Sequence, residues 1–203
     1  LPNGRSQWIT GAAARADGHH WRARSCAVLT GIGTVLADDP RLDVRHVATT
    51  RPPRKIVLDT HLRMPADARL LDGTETWIFT AREDAGRAAE LAARNARVIG
   101  LPDPDGRVDL PGVMRWLGRH DINEVHAEAG AVLTGALLEA GCVDELLVYM
   151  APMLLGEGAG MARLPLIEDL DQARRFHFMD VRGLGPDVRL RAQDPQRLAA
   201  ARA

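Results

Sequence analysis

The feature that most limits what this chain can fold into is a repeated change of period. Short apolar runs alternate with helical patterns along most of its length. Such alternation selects a mainly parallel sheet with helices on both faces. Residues 26–30, 55–59, 76–80, 97–101, 123–128 and 144–151 read as strands, and helices are expected over 11–24, 34–38, 84–95, 110–120 and 131–140. Thr10 stands where it can cap the first helix, Pro40 stops the second, and Gly141 lies just past the end of the last. Residues 176–191, with Gly183, Gly185 and Pro186 in the middle, predict an antiparallel hairpin at the C-terminal edge. Residues 194–203 read as a frayed tail.

Composition removes several function classes. The 203 residues suit one α/β domain. Net charge is −1 with no block of like charge, so no nucleic-acid footprint is present. No apolar run approaches the ~18 residues that a membrane span requires. The two cysteines, Cys26 and Cys142, lie far apart in apolar contexts, which predicts reduced, buried thiols in a cytoplasmic protein. The polar, turn-like start at Leu1-Pro2-Asn3-Gly4-Arg5 carries no initiator methionine, and a strand or a whole domain is expected upstream.

Four segments could carry chemistry. Glu128-Ala129-Gly130 ends a strand in a carboxylate and turns straight into a helix, whose free N–H groups suit a phosphate. The plain alternative is a βα turn with glycines for packing. Leu29-Thr30-Gly31-Ile32-Gly33-Thr34 repeats the pattern, with Thr34 either offering a hydroxyl to a ligand or simply capping the helix, and Asp38 and Asp39 as its polar exit. Arg22, Arg41 and Arg45 could clamp a phosphate with their planar forks if the loop after Pro40 folds back on the first helix; otherwise they are solvated surface residues. Trp8 could cover a flat ring by stacking or plug the core. His126-Ala127-Glu128 matches half of a zinc deaminase site, but no Pro-Cys-x-x-Cys partner exists in the chain, so no metal is assigned.

Ser6-Gln7-Trp8-Ile9-Thr10, Arg22-Ala23-Arg24-Ser25, Gly33 to Leu42, Val57-Leu58-Asp59-Thr60, Glu128-Ala129-Gly130 with Leu133 and Gly135, Val143 to Leu146, Ala151-Pro152 with Leu154-Leu155-Gly156, and Gly185 to Val188 occur in that order. Together they resemble the reductase domain of the bifunctional riboflavin-biosynthesis deaminase/reductase. The resemblance covers about residues 4–192. It implies a dihydrofolate-reductase-like three-layer fold and NADPH-dependent reduction of 5-amino-6-(5-phosphoribosylamino)uracil to the ribitylamino compound. Carried over by position, Ser6, Arg22, Leu42, Arg45 and Glu128 would line the substrate, with Glu128 also the nearest candidate proton donor. Trp8, Thr34, Asp38 and Thr60 would contact the cofactor, and Arg63 could help Thr60 select NADPH. Gly130, Ala131, Val132, Leu133, Thr134, Gly135 and Ala136 would receive the dinucleotide phosphates.

The resemblance further implies a homodimer, for which the apolar 146–150 strand and the C-terminal hairpin could offer an edge. It also implies a zinc deaminase domain upstream, and before residue 1 a strand ending in Ser-Leu-Asp-Gly. Two other readings stay open on sequence alone. One is a reductase of the same fold acting on dihydrofolate or a pterin. The other is a catalytically disabled domain that binds a nucleotide or only dimerises.

Overall fold

The structure, a computed structural model, describes residues 8–156, 158 and 160–195. Its elements follow in the order α1 (Ala12–Arg24), β1 (Ala27–Gly31), α2 (Ile32–Asp38), β2 (Arg54–Leu58), β3 (Thr76–Thr80), α3 (Ala85–Ala92) and β4 (Ala96–Gly100). Next come α4 (Leu110–Gly118), β5 (Val125–Ala127), α5 (Ala131–Glu139), β6 (Glu145–Met150), β7 (His177–Leu184) and β8 (Asp187–Gln193). Five strands form a wholly parallel sheet in the order β4-β3-β2-β1-β5, and three form an antiparallel sheet in the order β6-β8-β7. The expected parallel architecture with a C-terminal hairpin is therefore present, but among the described residues the sheet is split between β5 and β6. No helix among the described residues is long and apolar enough to cross a membrane.

The apolar runs of β1, β2 and β3 become strands because both their faces are covered. Val28, Val57 and Ile78 pack toward α2 and α3 with Ile32, Val35 and Leu91. Leu29, Ile56 and Phe79 pack on the opposite face, against Val113 and Leu117 of α4 and Leu137 of α5. Phe79 and Ile56 are fully buried, and each such side chain contributes about 1.5–3 kcal/mol. Lys55 is buried in β2 and escapes the cost of an unpaired charge because its Nζ donates to Leu70 C=O at 2.9 Å and to Asp72 at 2.7 Å.

Two helix starts differ from expectation. Gly11, not Thr10, precedes α1, and no side chain caps it. The Gly11 N–H instead donates to Asp187 Oδ2 at 2.6 Å, while Thr10 C=O accepts from Arg15. A carboxylate from β8 has replaced the local cap. Helix α2 begins two residues early, at Ile32, because Ile32 and Val35 both reach the core. Thr34 is thus the third helical residue rather than a cap. Gly141, at φ 64°, stops α5 as expected. Neither cysteine forms a disulfide among the described residues, and both are only partly buried.

Candidate active site

In an open parallel sheet, ligands lie beyond the carboxyl ends of the strands, where the strand order reverses. Here that point falls between β1 and β5, since β2, β3 and β4 step away from β1 on one side and β5 returns on the other. Both strands run into helices through a glycine, Gly31 before α2 and Gly130 before α5, and neither helix has a side-chain cap. Thr30 Oγ1 donates to Glu128 C=O at 2.7 Å and fastens the two strand ends. The helix starts also touch. A Cβ on Gly31 would lie 3.0 Å from Leu133 Cδ2, so a glycine there lets α5 approach.

Glu128 follows β5 directly. Its carboxylate accepts from Arg22 Nε and from Arg22 Nη2 at 2.5 Å, and His126 Nε2 lies 3.3 Å from Oε1. Burial alone would push this carboxyl up. The Arg22 and His126 hydrogen bonds and charges outweigh burial and hold it at about 2. Glu128 is thus held in this geometry as a negative charge and hydrogen-bond acceptor.

The loop after Pro40 does fold back on α1. Arg22 Nη1 donates to Asp43 C=O at 2.9 Å. Arg45 Nε lies 3.1 Å from Asp43 Oδ1, and the Arg45 N–H donates to His19 Nδ1 at 3.1 Å. The two arginines thus meet at Asp43. Arg22 is largely enclosed, whereas the Arg45 side chain remains 50% exposed and open to a ligand. His19 is buried and stands edge-on to His46. Burial, then the charges of Arg22, Arg45 and His46, lower its pKa, so its ring is neutral and Nδ1 is free to accept.

The remaining sequence candidates separate. Trp8 is no core plug. It is 68% exposed, with the Arg15 guanidinium 4.4 Å from its ring centroid. Leu42 is buried in the core, so any part it plays in binding falls to its backbone. Asp38 is exposed at the last turn of α2, and Arg41 is exposed as well. Thr60 C=O accepts from Ala81 N–H at 3.2 Å, and Arg63 Nε is 4.0 Å from Asp59 Oδ1.

Within α5, only the first turn from Ala131 presents amides without a helical partner. Val132 there is 63% exposed. Thr134 already donates to Gly130 C=O. Gly135 serves packing, since a Cβ there would lie 1.9 Å from Arg163 C=O. Ala136 lies deeper in the same helix. Ser6 lies outside the described residues.

Sequence reasoning passed over three groups. His19 and Asp43 organise the arginines, and only the folding back of a loop brings them there. Asp59 is fully buried at the carboxyl end of β2 and accepts from Met64 N–H at 2.8 Å. Burial raises its pKa against the opposing pull of the Met64 and Arg63 amides. An acidic residue closing an apolar strand was a readable signal for it.

The model of the RibD C-terminal domain matches residues 1–190. The chain belongs to that family. Across the RibD C-terminal domain it is 41% identical over 202 residues to the riboflavin biosynthesis protein RibD of Escherichia coli K12, covering 93% of this chain and 54% of that protein. It is 29% identical over 204 residues to the 5-amino-6-(5-phosphoribosylamino)uracil reductase of Buchnera aphidicola subsp. Acyrthosiphon pisum, covering 94% of this chain and 97% of that one. A solved structure of Acinetobacter baumannii RibD superposes with a TM-score of 0.81 at 36% identity, over 94% of this chain and 52% of that one. The chain spans about half the length of most of the RibD relatives it matches. The fold is the dihydrofolate-reductase-like one that the motifs implied.

Proposed function

We propose that this domain reduces 5-amino-6-(5-phosphoribosylamino)uracil to its ribitylamino product with NADPH. The observation that carries the reading is the convergence of Arg22 and Arg45 on Asp43, beside an ionised Glu128 and next to the open start of α5. An open cation fork suits a sugar phosphate. A fixed carboxylate suits the N–H groups of an aminopyrimidine.

The residues fit a reduced dinucleotide. A Cβ at Gly130 would meet nothing within 4 Å, and no side chain competes for the first amides of α5, so a phosphate can approach the backbone there. Thr34, Asp38, Thr60 and Trp8 would hold the rest of the cofactor, with Arg63 favouring the phosphorylated form. When bound, the cofactor supplies the hydride. The protein's own contribution is alignment. Arg45 fixes the phosphate end of the substrate, Glu128 fixes the ring, and Arg22 with His126 keeps Glu128 charged and still.

A homodimer is part of this reading. Residues of β6 and β5 line one cleft, which leaves pairing to the outer strand β7, where Phe178, Met179 and Val181 are exposed. A zinc deaminase domain upstream and a cytoplasmic setting complete it. The test is NADPH oxidation by the purified protein. Turnover is expected with the phosphoribosylamino substrate and not with dihydrofolate. Turnover with dihydrofolate, or cofactor binding without turnover on either, would overturn the assignment.

A further inference from the structure

We propose that His19 is a positioning residue that ties the grip on the substrate phosphate to its own protonation: as a neutral imidazole it holds Arg45 in place, and as an imidazolium it releases the loop that carries Arg45. The inference rests on the reading of Arg45 as the phosphate-binding residue. It concerns what keeps that residue where a ligand can use it.

The loop is strained along its length. Asp39, Leu42 and His46, none of them glycine, sit at φ 41°, 51° and 66°. Left-handed backbone of this kind persists only where surrounding contacts hold it. Asp39 Oδ1 accepts from Arg69 N–H at 2.8 Å, Leu42 is buried, and Asp43 C=O accepts from Arg22 Nη1 at 2.9 Å. Beyond Asp43 the anchoring thins. Between residues 44 and 51, among the described residues, one backbone hydrogen bond joins the loop to another element, from Arg45 N–H to His19 Nδ1 at 3.1 Å.

Protonation reverses that bond. A neutral ring with its proton on Nε2 offers a lone pair at Nδ1, whereas an imidazolium carries N–H at both nitrogens and sets a donor against the Arg45 donor. The surroundings give the new charge little relief. His19 is buried in α1, one turn before Arg22, so it acts through Arg45 rather than on the ligand. Arg45 and the exposed His46 face it from the loop, with the His46 ring edge-on at 5.3 Å. Two carboxylates lie among these groups, and both are engaged, Glu128 by Arg22 and Asp43 by Arg45. Burial, then the charges of Arg22, Arg45 and His46, disfavour the imidazolium against the weaker pull of Glu128. Acid therefore loosens a strained loop at the point where it has one backbone tie.

The test is the substrate KM of the natural full-length chain and of its His19→Asn variant, measured between pH 8 and pH 5. Asn offers Oδ1 where His19 has Nδ1, and it does not titrate. The substrate phosphate takes up a proton at about pH 6 in both assays, so the ratio of the two KM values isolates His19. The ratio of wild type to variant should be close to one at pH 8 and climb below pH 6.5, to at least about threefold at pH 5. The kcat should follow one course in both proteins. A flat ratio overturns the proposal. So does a ratio that falls in acid, which would make the imidazolium a direct attractor of the phosphate. Absence of turnover by both proteins at pH 8 would instead overturn the proposed reaction, and a second measurement then decides. In the ¹⁵N-labelled natural chain, the His19 ring should carry no proton on Nδ1 at pH 8, and its titration should coincide with a shift of the Arg45 amide signal. A protonated Nδ1 at that pH, or an Arg45 amide indifferent to the titration, overturns the proposal.

Discussion

Replacing Glu128 by Gln tests the electrostatic centre of the molecule. Glu128 takes two hydrogen bonds from Arg22, whose side chain is 16% exposed while its own is 31% exposed. Gln keeps the size, loses the charge and turns an N–H₂ group toward guanidinium donors. Breaking a fully buried pair costs about 3–5 kcal/mol because one charge is left alone. Partial exposure of the pair reduces that to about 2–3 kcal/mol. The assay is urea unfolding of both proteins at several pH values. Because the folded carboxyl titrates at about 2, below its ordinary value of 4.5, its stabilisation is complete above pH 4.5 and is lost as pH falls toward 2. The gap between wild type and Glu128→Gln should therefore be full at pH 7 and narrow steadily below pH 4.5. A gap under about 0.5 kcal/mol at pH 7, within the range of ordinary surface changes, would refute the pairing. So would a gap that does not change with pH.

Three further outcomes are expected. Arg45→Ala should raise KM for the phosphorylated substrate by about 30- to 160-fold, the equivalent of about 2–3 kcal/mol, and leave KM for NADPH unmoved in steady-state assays. His19→Ala should raise the same substrate KM with little change in kcat, because the Arg45 amide loses its acceptor; His19→Asn, whose Oδ1 can stand for Nδ1, should restore most of it. Gly135→Ala should lower the thermal midpoint despite the better helix former. The new methyl strikes Arg163 C=O, and overpacking of about 1–3 kcal/mol exceeds the gain of about 1 kcal/mol in propensity.

The parallel sheet was legible because the apolar runs of β1, β2 and β3 are covered on both faces, and Thr76–Thr80 matches its expected bounds at both ends. Helix ends were less legible where a distant group acted. Asp187 caps α1 across 176 positions of sequence, and no local pattern announces it. In the site, the strand-glycine-helix turns at Gly31 and Gly130 were readable as local motifs. The meeting of Arg22 with Arg45 was readable only as a condition on a loop. The ionised state of Glu128 was not readable, because it depends on Arg22 arriving from α1 to join His126, two residues earlier on the same strand.

Asp17 joins α1 to the three-stranded sheet, taking hydrogen bonds from Tyr149, Trp21 and Arg189. Burial works against its charge, but these partners prevail and hold its pKa below the ordinary aspartate value. Acid thus acts on a rivet between two slabs. Its contribution is complete above pH 3.8 and fades only below that, so proteolysis in strongly acidic buffer should release the carboxy-terminal slab while the parallel slab still resists digestion.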